Sequence, residues 1–169
     1  MFGHGRVLPG EWRNLERAQA CARYLAVQAA RRMRRAGLAA RALAAWLTDR
    51  GGAGWFGEAR FAPTWDDRSI LKSLGRLFGQ AHGEAPVRCR SVHVVLHDLV
   101  PLDSQRRDLF DVAAPFEARR RWERLSVLAD LLHARYGRDM LSLGPSVEPP
   151  GGYAGAKIAF NRIPEDEDF

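Results

Sequence analysis

Two hydrophobic periods alternate along this chain, and their order limits the folds open to it. Residues 3–8, GHGRVL, read as a short strand stopped by Pro9 and Gly10. Leu15, Ala18, Ala22, Leu25, Ala26, Ala29 and Met33 then recur at three- and four-residue steps, the spacing of one helical face. Gly37 suits the C-cap, and Arg31, Arg32, Arg34 and Arg35 crowd the last turns, where cations complement the helix dipole. Residues 40–49, ARALAAWLTD, return to strand alternation with Leu43, Ala45 and Leu47 on one face. A glycine-rich turn and WFGEARF at 55–61 complete a hairpin, and Pro63 and Thr64 break the pattern. Asp66 or Asp67 caps a second helix whose buried face is Ile70, Leu71, Leu74, Leu77 and Phe78. After a loop at 79–86, residues 87–98 form the clearest strand, with Val92, Val94 and Leu96 alternating with His93, Val95 and His97.

This β-α-β-β-α-β order predicts an α+β domain over residues 1–99, with an antiparallel-rich sheet and both helices on one face. The other face is left open, and on a basic protein an open sheet face is a candidate binding platform. Residues 100–116 have no clear period and contain Pro101 and Pro115, so they read as a linker. A third helix is expected from about Glu117 to Tyr136, ended by Gly137, with a short strand-like stretch after it. A Pro/Gly-rich linker at 145–155 and an extended tail complete a C-terminal part spanning 117–169. There is no internal repeat.

Hydrophobic residues make up 46% of the 169 positions, enough to bury a core. No apolar run approaches the roughly 20 residues needed to cross a bilayer, and the N-terminus lacks a secretory pattern. A cytoplasmic protein with no membrane partner is the expectation. Cys21 and Cys89 lie far apart and outside any paired motif, which argues for reduced core thiols and against zinc. The net charge is +6, and only Lys72 and Lys157 among the 26 basic residues are lysines. Arginine forks suit phosphate, although a GC-rich genome also favours arginine codons. The positive balance itself attracts nucleic acid. Asp66 and Asp67 are better explained as helix caps than as catalytic carboxylates, and the acidic run Glu165–Asp168 as solvated charge. No phosphate-binding glycine loop is present, so neither a catalytic centre nor a cofactor is expected. Trp46, Trp55, Trp65 and Trp122 read as core residues before base-stacking ones.

Several local strings, in order, resemble the C-terminal "little finger" region of Y-family translesion DNA polymerases, in particular the ImpB/MucB/SamB and UmuC-like group. GHGRVLP resembles the first little-finger strand, AARRMRRAG the end of its first helix, and RSVHVVLHDL its last strand. QRRDLFD, LADLLHARYGRDMLSLG and YAGAKIAFNRIPEDEDF resemble the tails of bacterial members. The resemblance implies a non-catalytic module that grips double-stranded or primer-template DNA through its backbone. The carboxylates that hold two metal ions about 4 Å apart lie in the family's palm domain, upstream of this region. Carried onto this chain, the DNA-contacting candidates are His4 and Arg6 in the first strand and Arg88, Arg90 and His93 in the last, with Arg34, Arg35 and Arg41 around the first helix-to-strand turn. QRRDLF also resembles a clamp-binding peptide, with Gln105 at the pocket rim and Leu109 and Phe110 as anchors. The compact form would place Gln at Arg106, so docking requires one residue to bulge. Implied partners are DNA, the sliding clamp and a polymerase catalytic half. Two other readings stay open: a protein-interaction module of a repair complex, and an RNA-binding domain, which lacks its usual aromatic string here.

Overall fold

The structure is a computed structural model describing residues 1–86, 88–102, 113–137, 141, 143–144 and 158–160, with the side chains of 113–117 and 158–160 excepted. The elements are β1 (Phe2–Val7), a 3-10 turn (Gly10–Trp12), α1 (Leu15–Arg35), β2 (Leu38–Thr48), β3 (Gly54–Thr64), α2 (Asp67–Gln80), β4 (Ser91–Pro101), α3 (Ala113–Tyr136) and β5 (Ile158–Phe160). The sheet runs β3-β2-β4-β1-β5, and every neighbouring pair is antiparallel. The expected β-α-β-β-α-β order is therefore present. The fifth strand falls where the sequence reads only as extended tail.

Local chemistry sets the ends of the helices. Asn14 caps α1 by accepting from the Arg17 N–H, and Gly37 follows the helix at φ 68°, a left-handed conformation that favours glycine. Asp66 is the cap of α2, accepting from the Ser69 N–H at 2.8 Å. Pro63 does not end β3, contrary to the sequence reading. Ala40 pairs with Thr64 and Ala42 with Arg60, so β3 carries a bulge that contains Pro63. β3 is also an edge strand, so the missing N–H leaves no inner ladder bond unmade.

Both α1 and α2 pack on one face of the sheet. Leu43, Ala45 and Leu47 of β2 and Val92, Val94 and Leu96 of β4 meet Cys21, Leu25 and Met33 of α1 and Ile70, Leu74 and Phe78 of α2. Each fully buried large side chain contributes about 1.5–3 kcal/mol. Alanines at 18, 22, 26, 29 and 30 are all buried, which lets α1 lie close to the strands. Cys21 and Cys89 are free buried thiols, as expected, and burial pushes the Cys21 thiol up to about 11 against the pull of Arg6.

The third helix docks onto the other two as an outer layer. Ser126 Oγ accepts from the Asp67 backbone N–H at 3.0 Å, and Arg119 donates to the Pro63 carbonyl. Asp130 of α3 accepts from Arg34 Nε at 2.7 Å and Nη2 at 2.8 Å, and from Arg31 Nε at 3.3 Å. Arg34 Nη1 also donates to Asp67 Oδ1 at 2.7 Å and to the Trp65 carbonyl at 2.8 Å. Burial opposes the charge on Arg34, but hydrogen bonds and attraction from two carboxylates outweigh it and hold its pKa above the ordinary value. Burial pushes the Asp67 carboxyl upward, against the pull of the one guanidinium it shares with Asp130. Arg34 is thus a structural cross-link, which overturns its assignment as a DNA contact. Arg34→Ala leaves Asp67 buried without its partner, and we expect it to lower the urea-unfolding free energy by about 3–5 kcal/mol. A loss below about 1 kcal/mol would show that the network contributes little to holding the layers together.

Candidate nucleic-acid interface

Strand register fixes which side chains point to the sheet face on which no described helix packs. On β4 they are Ser91, His93, Val95 and His97, the positions between the core residues. Trp46 of β2 pairs with His93, and their rings stack at 4.9 Å with an interplanar angle of 3°. Gly5 of β1 lies opposite His93, and a Cβ there would sit 2.2 Å from the imidazole Nδ1. Glycine is what permits the ring to lie across β1. Ser91 Oγ completes the group, 3.1 Å from His93 Nε2 and 2.6 Å from Thr48 Oγ1. Burial lowers the His93 pKa, so the ring in this stack is neutral at pH 7.

Charge on this face is mixed. Arg60 Nε lies 3.3 Å from Glu58, Arg60 Nη1 is 3.3 Å from Asp98, and His97 lies 3.9 Å from Glu58. Phe56, opposite Trp46 on β3, is 63% exposed. The middle of the platform is therefore aromatic and neutral. Its surplus cations stand at one end, where β2 stops and β4 starts, because Thr48 pairs with Ser91. Exposed Arg88 and Arg90 are there, and exposed Arg50 lies just past β2.

The sequence-expected residues divide into distinct groups. Arg88 and Arg90 are exposed, with Cys89 buried between them, but they precede β4 and do not form part of it. The Arg90 N–H donates to the Thr48 carbonyl at 2.6 Å, and its own carbonyl accepts from Leu8 at 2.7 Å, which anchors this lead-in to the sheet end. His93 does reach the open face. His4 and Arg6 do not: their register partners are the core residues Val94 and Val92, so they lie on the helix side, half-buried. Gly3 and Gly5 occupy the open-face positions of β1 instead. Arg35 and Arg41 are exposed, at the end of α1 and opposite the β3 bulge. Arg34 is buried, as described above. Gln105, Leu109 and Phe110 fall outside the described residues. The sequence reading missed Trp46, Arg50 and Arg60. Trp46 was legible, since it alternates with Ala45 and Leu47, but tryptophans are assigned to the core by default.

Among the described residues, the fold is an α+β domain with one sheet face on which no described helix packs, and exposed arginines stand beside that face. Among the described residues, no group of three or more His, Cys, Asp or Glu is placed to hold a metal ion. No described helix is long and apolar enough to cross a membrane. A family model described as the impB/mucB/samB family C-terminal domain matches residues 1–109. The chain belongs to this family, and the matched region is the family's C-terminal domain. It ends before α3. No curated protein matches the chain. A solved structure described as "Complex of beta-clamp processivity factor and little finger domain of PolIV" is similar at TM-score 0.42 and 16% identity, covering 65% of this chain and 97% of that one.

The stacked histidine carries a pH signature. Its folded pKa lies below the ordinary 6.5 because of burial, so its contribution is complete above that value and is lost as pH falls through the folded pKa. Unfolding free energy should therefore drop more between about pH 7.5 and 5 in the wild type than in His93→Phe. Equal drops, read by urea titration at both pH values, would show that the stack does not respond to the proton.

Proposed function

We propose that this chain is the non-catalytic DNA-holding module of a Y-family translesion polymerase, gripping primer-template DNA by its backbone without reading sequence. The observation that carries this reading is the helix-free sheet face with exposed Arg50, Arg88 and Arg90 at one end. Membership of the family supports it. Guanidinium groups at the end of the sheet hold phosphates, and the neutral Trp46–His93 centre lets the duplex lie close without fixing on any base. Chemistry on the primer end belongs to a polymerase catalytic half, and the module works with it in the cytoplasm. Of the other sequence candidates, Arg35 and Arg41 remain available for contact.

Arg88→Ala/Arg90→Ala should weaken binding to any duplex and lower the slope of log K against log salt by about 0.9 for each phosphate no longer neutralised. A folded double variant with unchanged affinity and slope overturns the assignment. The exposed Phe56 beside an uncharged stack favours a second reading, a protein-interaction module of a repair complex. A wild-type protein without salt-dependent duplex binding would support it.

The segment Gln105–Phe110 is proposed as the clamp-binding peptide, with Leu109 and Phe110 docking in an apolar pocket. Its affinity is modest, and its role is to raise the local concentration of the clamp. In a titration with purified sliding clamp, Leu109→Ala/Phe110→Ala should cost about tenfold or more in affinity. Equal affinity for wild type and variant would remove the clamp from the partners.

A further inference from the structure

Among the described residues, a row of cations with no ion-pair partner lies on the helix layer, on the side opposite the sheet platform. On α2, Arg68, Lys72 and Arg76 are all exposed at i, i+4, i+8 spacing, which lines three cations along roughly 12 Å of one helical face. The only acid in α2 is Asp67, which is buried and bound to Arg34. On α3, the acids with described side chains are Glu123 and Asp130, and both are spent internally, on Arg119 and on Arg31 and Arg34. Arg121 and Arg124 of α3 are exposed too, beside Leu125 and Leu128, and neither forms an ion pair among the described residues.

Aromatic rings lie along the same surface. The Arg68 guanidinium sits over the Trp122 ring at 4.7 Å, and that of Arg119 over Trp65 at 5.9 Å. Both indoles are half-buried. A guanidinium over an indole can offer its other side to a further π-system. Basic side chains beside stacking planes are what a single nucleic-acid strand needs, because its bases are free to stack and its backbone runs along the cations. A duplex, whose bases are already stacked on one another, gains only the charge.

We propose that the outer face of α2, together with Trp122 of α3, binds single-stranded DNA through Arg68, Lys72 and Arg76, with the Arg68–Trp122 pair as a stacking plane. This site is separate from the sheet platform. α3 lies beyond the family domain, so a chain without the appended helix would lack the stacking half of the site.

The test uses the full chain with oligo-dT and with a blunt duplex. Lys72→Ala/Arg76→Ala changes only exposed side chains, and circular dichroism checks its fold. It should lower the salt slope for oligo-dT by about 1.4, from about 0.7 for each phosphate no longer neutralised, and leave the duplex slope unchanged. Arg88→Ala/Arg90→Ala should give the reverse pattern, so failure of the sheet reading is distinguishable from failure of this one. Trp122→Leu should weaken oligo-dT binding while keeping its salt slope. The proposal is overturned if wild type does not bind oligo-dT, if the Lys72/Arg76 variant binds it with unchanged slope, or if that variant loses duplex and single strand equally.

Discussion

Arg34 holds three helices together with one side chain. It projects from the end of α1, bonds Asp67 at the start of α2 and takes both oxygens of Asp130 in the middle of α3. A guanidinium suits this place because its planar fork can satisfy two carboxylates and a carbonyl at once and stays charged when buried. The arrangement also constrains every neighbouring group. Asp130 adds to the contacts that Arg119, Trp122 and Ser126 make between α3 and the body. Without Arg34, buried Asp67 would lose its guanidinium, and Asp130 would be left with Arg31.

That cross-link also determines where the molecule is positive. Fixing Asp67, Glu123 and Asp130 in pairs occupies the acids of α2 and α3 whose side chains are described and leaves Arg68, Lys72 and Arg76 in surplus. On the sheet the opposite happens. Arg60 and His97 share their neighbourhood with Glu58 and Asp98, and the centre is filled by a neutral ring pair. The two sides are therefore suited to different tasks: a smooth, weakly charged platform with cations at one end, and a strongly basic row with stacking planes. Both features follow from where the acids are paired.

Much of the architecture was legible from local pattern. The apolar stripe of α1, the alternation of β4, the Asp66 cap and the Gly37 stop each depend on residues within a few positions of one another. Reading the individual cations was harder. Arg34 and Arg35 are adjacent and look equivalent, yet one is buried in a salt-bridge network and the other is exposed. His4 and Arg6 share a strand with two glycines, and nothing local says which parity faces the helices. Pro63 looks like a strand breaker until its strand is known to be an edge.

The sequence by itself determined the order of elements from β1 to β4, the buried faces of α1 and α2 and the family, because hydrophobic period and capping are written in short-range spacing; the apolar residues Leu125, Leu128 and Tyr136 of α3 are exposed, and Ser126, Ala129 and His133 face inward instead. Tertiary structure alone decided which arginines stay in water, which side of β1 meets the core, and that α3 docks on the domain. Those outcomes depend on pairings between residues 30 to 100 positions apart, such as Arg34 with Asp67 and Asp130. A charge far along the chain decides whether a cation is a cross-link or a free hand, and no local pattern records that distance.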